Sequence, residues 1–144
     1  PLGEKDGIKY YDDSISTICE TTIQALNTLK DVDTVLIGGM DRGIDYSELI
    51  NFLSGHKVPH IILMEATGKR ILEEILNGYP DFQDKDRLVL TDHLEDAVAK
   101  AKELTRPGHS CLMSPAAASY GIFKNFEERG EVFARLVSGS DKLM

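Results

Sequence analysis

Arg42 stands in the segment GGMDRGID, residues 38–45, where an apolar run gives way to glycines. Its planar guanidinium is a fork suited to a carboxylate, although a solvated loop arginine fits the position equally well. Gly38 and Gly43 have the spacing of a phosphate-binding loop. Ile44-Asp45, however, occupy the places of the lysine and hydroxyl that would reach outer phosphates and magnesium. The segment also fails G-x-G-x-x-G, so it is no nucleotide fingerprint. Tight turning accounts for the paired glycines at 38 and 39, but it leaves Arg42 unexplained.

The other reactive groups carry less. Asp12-Asp13 follow a first apolar run, as does the acidic pair of a response-regulator receiver. The likeness stops there, because the third and fifth runs end in Met64-Glu65 and Met113-Ser114, where a receiver needs an aspartate and a lysine. No G-x-S-x-G elbow is present. His56 and His60 flank a turn, His93 and His109 sit near element starts, and none pairs at i, i+4 with an acid nearby. Each reads as structural or surface histidine. Cys19 and Cys111 fall in a helical and a strand pattern with neither zinc nor disulfide spacing, which fits a reducing cytoplasm.

The elements that must position these groups alternate along the chain. Strand runs are GIKYY (7–11), TVLIGG (34–39), HIILME (60–65), RLVLT (87–91) and SCLM (110–113). Helix-period segments are predicted over about Thr17–Leu29, Asp45–Leu53, Thr67–Leu76, Leu94–Leu104 and Ile122–Leu136. Thr17 and Glu20 have capping-box spacing, and Asp45 is a natural N-cap. Runs that are apolar throughout, not alternating, predict parallel strands covered on both faces. The expectation is therefore an α/β domain: a doubly wound, mostly parallel sheet of five to six strands with helices on both faces. Ligands of such sheets bind beyond the carboxyl ends of the strands, which ranks four loops: Asp12–Ser16, Gly38–Ile44, Glu65–Gly68 and Ser114–Tyr120.

Composition narrows the partners. The 144 residues, 42% hydrophobic and 28% charged, are those of one globular domain, and no run is long enough for a membrane span. A net charge of −8, from 16 basic and 24 acidic residues, excludes a general nucleic-acid footprint but not a local anion site. The chain opens Pro-Leu-Gly without an initiator Met, and a processed or excised piece is expected.

The stretch SPAAASYGIFKNFEERG, residues 114–130, leaves the last strand through three alanines. Small side chains there serve either tight strand–helix packing or room for a ligand. The longer segment LMSPAAASYGIFKNFEERGEVFARLV resembles the D-glutamate-adding branch of the Mur ligase family, whose end carries S-P-A-x-A-S and then F-K-N-F-E-x-R-G-x-x-F. YYDDSISTICETTIQAL is similar to that branch's D-S-x-x-T segment, and LIGGMDRGIDYSEL to its G-G-x-x-[KR]-x-x-D-[FY] loop. The three motifs, in order, cover about the whole chain.

The resemblance implies a cytoplasmic enzyme of peptidoglycan synthesis with three domains. It implies use of ATP and Mg2+ to join D-glutamate to UDP-N-acetylmuramoyl-L-alanine. This chain matches the Rossmann-like C-terminal domain that holds the incoming amino acid; the N-terminal and central domains would hold the nucleotides. Carried over by position, Thr17, Arg42, Ser119 and Phe126 are implied to bind D-glutamate, and Asp13 to meet a nucleotide ribose as the domains close. No catalytic residue and no metal ligand is expected in this segment, and by itself it is expected to be inactive. Two departures stand out: Ile15-Ser16 replaces a common Lys-Ala, and Arg42 is lysine in many members. A free-standing α/β binding module and the same domain of a sister ligase remain the alternatives.

Overall fold

The computed structural model describes residues 2–119 and 122–139; Tyr120, the end of the fourth ranked loop, lies outside them. Six strands form one sheet: β1 (Gly3–Lys5), β2 (Ile8–Asp12), β3 (Val32–Gly38), β4 (His60–Met64), β5 (Leu88–Thr91) and β6 (Ser110–Met113). Their order across the sheet is β1-β2-β6-β3-β4-β5. All neighbours are parallel except β1, which is antiparallel to β2. Every residue of β3 and β6 is buried, as expected of central parallel strands.

The helices are α1 (Cys19–Thr28), α2 (Ser47–Gly55), α3 (Glu65–Gly78), α4 (Leu94–Leu104) and α5 (Phe126–Ser138). From β2 to β5 the chain steps in one direction across the sheet, leaving a gap that β6 later fills. Right-handed crossovers taken in one direction put their helices on one face, and the return step from β5 to β6 puts its helix on the other. The cores agree. Leu26 of α1, Leu49 and Leu53 of α2 and Ile71 and Ile75 of α3 share one cluster with Val35, Ile37 and Leu63. Leu94 and Val98 of α4 and Phe133 and Val137 of α5 share the other with Leu36, Ile62 and Met64.

Several boundaries differ from the sequence reading. β1 is three exposed residues, too short for a periodicity signal; its mark is the Asp6-Gly7 turn, both at positive φ (55° and 82°), a two-residue hairpin connection. Glu65 ends no strand but opens α3 with a left-handed φ of 61°. The predicted start of the last helix at Ile122 falls in a turn, and Asn125 caps α5, its side chain accepting from the Glu128 amide at 2.8 Å.

Candidate functional site

β2, β6 and β3 lie side by side, and their carboxyl-end loops leave the sheet in different directions. The loops after β2 and β3 lead to helices on one face, while the loop after β6 leads to α5 on the other. This is the switch point at which such sheets open a crevice. Two glycines permit the close approach there: a Cβ on Gly38 would collide with the Met64 carbonyl, and one on Gly39 would come within 2.6 Å of the Ala118 oxygen.

The alanines after β6 are answered by packing. Ala116, Ala117 and Ala118 are all buried, and each carbonyl is taken by a different part of the rim. Ala116 O accepts from the Tyr46 hydroxyl (2.6 Å), Ala117 O from Arg129 Nη1 (2.9 Å) and Ala118 O from the Met40 amide (2.9 Å). Larger side chains would keep those donors away. Of the two uses open to small residues here, tight packing is the one realised.

Arg129, wholly buried, holds two rim loops together. Besides Ala117 O it donates to Ser14 O through Nη2 at 2.7 Å, so one guanidinium ties the loop after β6 to the loop after β2. Burial lowers its pKa to about 10 even though Glu65 and Asp12 act in the opposite sense. Its periodicity marks it as interior: it lies four residues before Phe133 and eight before Val137, the buried stripe of α5. Arginine in an amphipathic pattern is ordinarily read as a solvated face, and that habit hides it.

A hydroxyl chain fixes the loop after β2. The Thr22 hydroxyl donates to Ser114 O (3.0 Å), Ser16 Oγ lies 2.8 Å from Thr22 Oγ1, and the Ser114 hydroxyl donates to Asp13 Oδ2 (2.7 Å). Burial raises the pKa of Asp13, the Ser114 hydrogen bond opposes this, and the charge of Asp12 adds to it. Glu65 is raised as well, by burial, with the charges of Arg129 and His93 pulling it down. Ser14 Oγ, Glu65 Oε2, Thr67 Oγ1 and Arg129 Nε are buried without a hydrogen-bond partner among the described residues. All four belong to rim elements.

The expected capping box does not form. α1 begins at Cys19 with Ile18 as its unassisted cap, so Thr17 lies outside the helix, half-buried in the loop. Asp45 likewise is not the N-cap of α2, which is Tyr46; its carboxylate accepts from the Ser47 amide (2.9 Å) in a turn before the helix.

Arg42 is exposed on the loop after β3. Among the described residues it makes no ion pair; the neighbouring Asp41 is held instead, by Arg70 at 2.8 Å. Ser119 is buried beside Ala118, whose bond to Met40 lays the two loops edge to edge. Thr17, Arg42, Ser119 and Asp13 therefore occupy three adjoining loops on one end of the sheet. Phe126 stands at the start of α5. It is 37% exposed at the first turn of α5 and lines, with Ile15 and Ser14, a groove of about 420 Å3 whose walls include none of Thr17, Arg42 and Ser119.

This is a doubly wound α/β domain with its loops gathered at a switch point. No protein-family model matches the chain. Curated relatives do, among them three proteins each named UDP-N-acetylmuramoylalanine–D-glutamate ligase. That of Caldanaerobacter subterraneus is 39% identical over 94% of this chain and 29% of its own length. The Thermoanaerobacter pseudethanolicus enzyme is 38% identical over 95% and 29%. The Chlamydia caviae enzyme is 35% identical over 99% and 32%. The chain is thus homologous to these D-glutamate ligases, and its extent fits their C-terminal domain. It spans about three-tenths of the length of the curated relatives it matches.

Proposed function

We infer that this chain holds the incoming amino acid in an ATP- and Mg2+-dependent ligase that joins D-glutamate to UDP-N-acetylmuramoyl-L-alanine in the cytoplasm. The observation that carries the reading is Arg42, which makes no ion pair among the described residues on a rim that fastens the loops of Thr17 and Ser119 beside it. Arg42 pairs with one carboxylate of D-glutamate, and the Thr17 and Ser119 hydroxyls hydrogen-bond the amino acid. The amides at Phe126 and Glu127, first in α5 and without intrahelical partners, meet the second carboxylate.

ATP and Mg2+ would be bound by parts of the ligase beyond the span of this chain and would supply the activated acyl group. The contribution made here is proximity, bringing the amine of D-glutamate to that group. Asp13, on the same rim, meets a nucleotide ribose on closure. Exposed apolar side chains encircle the rim, among them Ile15, Ile18, Met40, Ile122 and Phe126, and offer a surface for the closing domain. By itself the chain is expected to turn over no ATP.

The test is Arg42→Ala in the full-length ligase. A charge-assisted pair lost at the ligand should raise the KM for D-glutamate roughly tenfold to a hundredfold, with the KM for ATP within about twofold of wild type. Equal losses for both substrates, or an unchanged KM for D-glutamate, would end the assignment.

A further inference from the structure

We propose that Arg70 of α3 is a positioning residue for Arg42, and the inference rests on the role given to Arg42 above. The loop after β3 is fastened at both ends, by the Met40 amide on Ala118 O (2.9 Å) and by the Tyr46 hydroxyl on Ala116 O (2.6 Å). Between those anchors Asp41, Arg42 and Gly43 are exposed and form no helix or strand. A flexible tip of this kind would present the Arg42 guanidinium in many directions, and a ligand would meet the competent one only part of the time.

Arg70 removes that freedom. Its Nε donates to Asp41 Oδ2 at 2.8 Å and its Nη2 to Ile44 O at 2.7 Å, so one rigid fork grips the chain on both sides of Arg42. Its remaining nitrogen, Nη1, donates to Glu74 Oε2 at 2.7 Å, one turn further along α3, which aims the fork. The guanidinium carbon lies 5.1 Å from the centre of the Tyr46 ring, so the face of the group is also engaged. The other oxygen of Asp41 accepts from the Gly43 amide at 2.9 Å, closing a tight turn with Arg42 at its apex. Every nitrogen of Arg70 is thus committed, and two of the three hold the loop that displays Arg42. With its side chain 27% exposed, Arg70 is partly shielded from solvent, so its bonds to Asp41 and Glu74 are worth more than fully exposed ion pairs. Its effect is to restrict where the neighbouring arginine can point. Lysine offers a point charge in place of a fork and cannot grip both Asp41 Oδ2 and Ile44 O.

The experiment is a double-mutant cycle in the full-length ligase, reading the KM for D-glutamate, the KM for ATP and kcat. Arg70→Ala should raise the KM for D-glutamate roughly tenfold, as for a loop competent about a tenth of the time, with the other two constants within about twofold. In an Arg42→Ala background it should have no further effect, because a residue that acts only through Arg42 has nothing left to position. An added effect in that background, or parallel losses in kcat, would overturn the inference in favour of a general structural role. If Arg42→Ala raises the KM and Arg70→Ala does not, the inference falls and the reading of the site stands. If Arg42→Ala itself leaves the KM unchanged, both fall. Should Arg70→Ala fold poorly, Arg70→Lys keeps a cation on α3 and should still raise the KM several-fold. A wild-type KM in that variant would overturn the inference.

Discussion

The two ends of the sheet carry the same kinds of residue and use them differently. At the amino end, Arg87 gives all its donors to backbone carbonyls: Nη1 to His56 and Val58, Nη2 to Leu53 and Gln83, and Nε to Asp84, between 2.7 and 3.1 Å. Arg106 closes a two-pronged pair on Asp33, at 3.0 and 2.7 Å. Grooves of about 370 and 380 Å3 lie at that end, comparable with the one of about 420 Å3 at the carboxyl end. Concavity therefore does not choose the site. The carboxyl end differs in that Arg129 and Arg70 hold loops while Arg42 holds nothing among the described residues.

The acids divide in the same way. For Asp33, burial would raise the pKa, but hydrogen bonds from the side chain and amide of Arg106 outweigh it and lower the carboxyl. At the opposite rim Asp13 and Glu65 are raised by burial, without a partner that fully offsets it. One end has its polar groups satisfied; the other keeps polar groups dry and under-paired.

The contrast breaks most visibly at Arg129. Arg129→Met should remove roughly 3–5 kcal/mol of stability, since two buried carbonyls lose their donor and the charge of Glu65 its nearby opposite. Chemical denaturation of the chain would measure it. A loss below about 1 kcal/mol would mean that the two loops are held by something else. Tyr46→Phe should cost about 1 kcal/mol by the same measurement, the worth of one buried hydroxyl bond to Ala116 O. No loss at all would show that the alanine tract needs no fastening from the loop after β3.

The smallest effect is a titration. Carboxyl NMR signals should report Asp33 below the ordinary aspartate range and Asp13 and Glu65 above theirs. A depressed folded-state pKa stabilises the fold above the unfolded-state value, so the contribution of Asp33 is lost as the pH falls below about 4. For Asp13 and Glu65 the sign reverses. The folded state binds their protons more tightly, so their contribution favours folding at low pH and fades as the pH rises past the unfolded-state values. Three acids titrating alike would erase the difference between the ends.

Much of the architecture is legible in the sequence because apolar runs of the central strands are a local property. SCLM and Leu94–Leu104 are read at their observed bounds, and the mostly parallel, doubly wound sheet follows from the alternation. β1 escapes because three exposed residues cannot show a period. The candidate residues Thr17, Arg42 and Ser119 come from motifs, and the adjoining loops that carry them follow from the strand order. Arg129 is part of a quoted motif, yet its task is invisible there, because the carbonyls it serves lie 12 and 115 residues away. Arg70 is hidden for the same reason, with its two loop partners 29 and 26 residues off.

The sequence by itself determined where the five parallel strands and the five helices fall, and that the central sheet is buried on both faces. Those follow from side-chain periodicity, which each segment carries alone. Only the tertiary structure decided which arginines the fold spends, among them Arg70, Arg87, Arg106 and Arg129. A guanidinium bonds to whatever acceptors the folded chain brings within about 3 Å, and for Arg129 that neighbourhood exists only where β6 lies between β2 and β3.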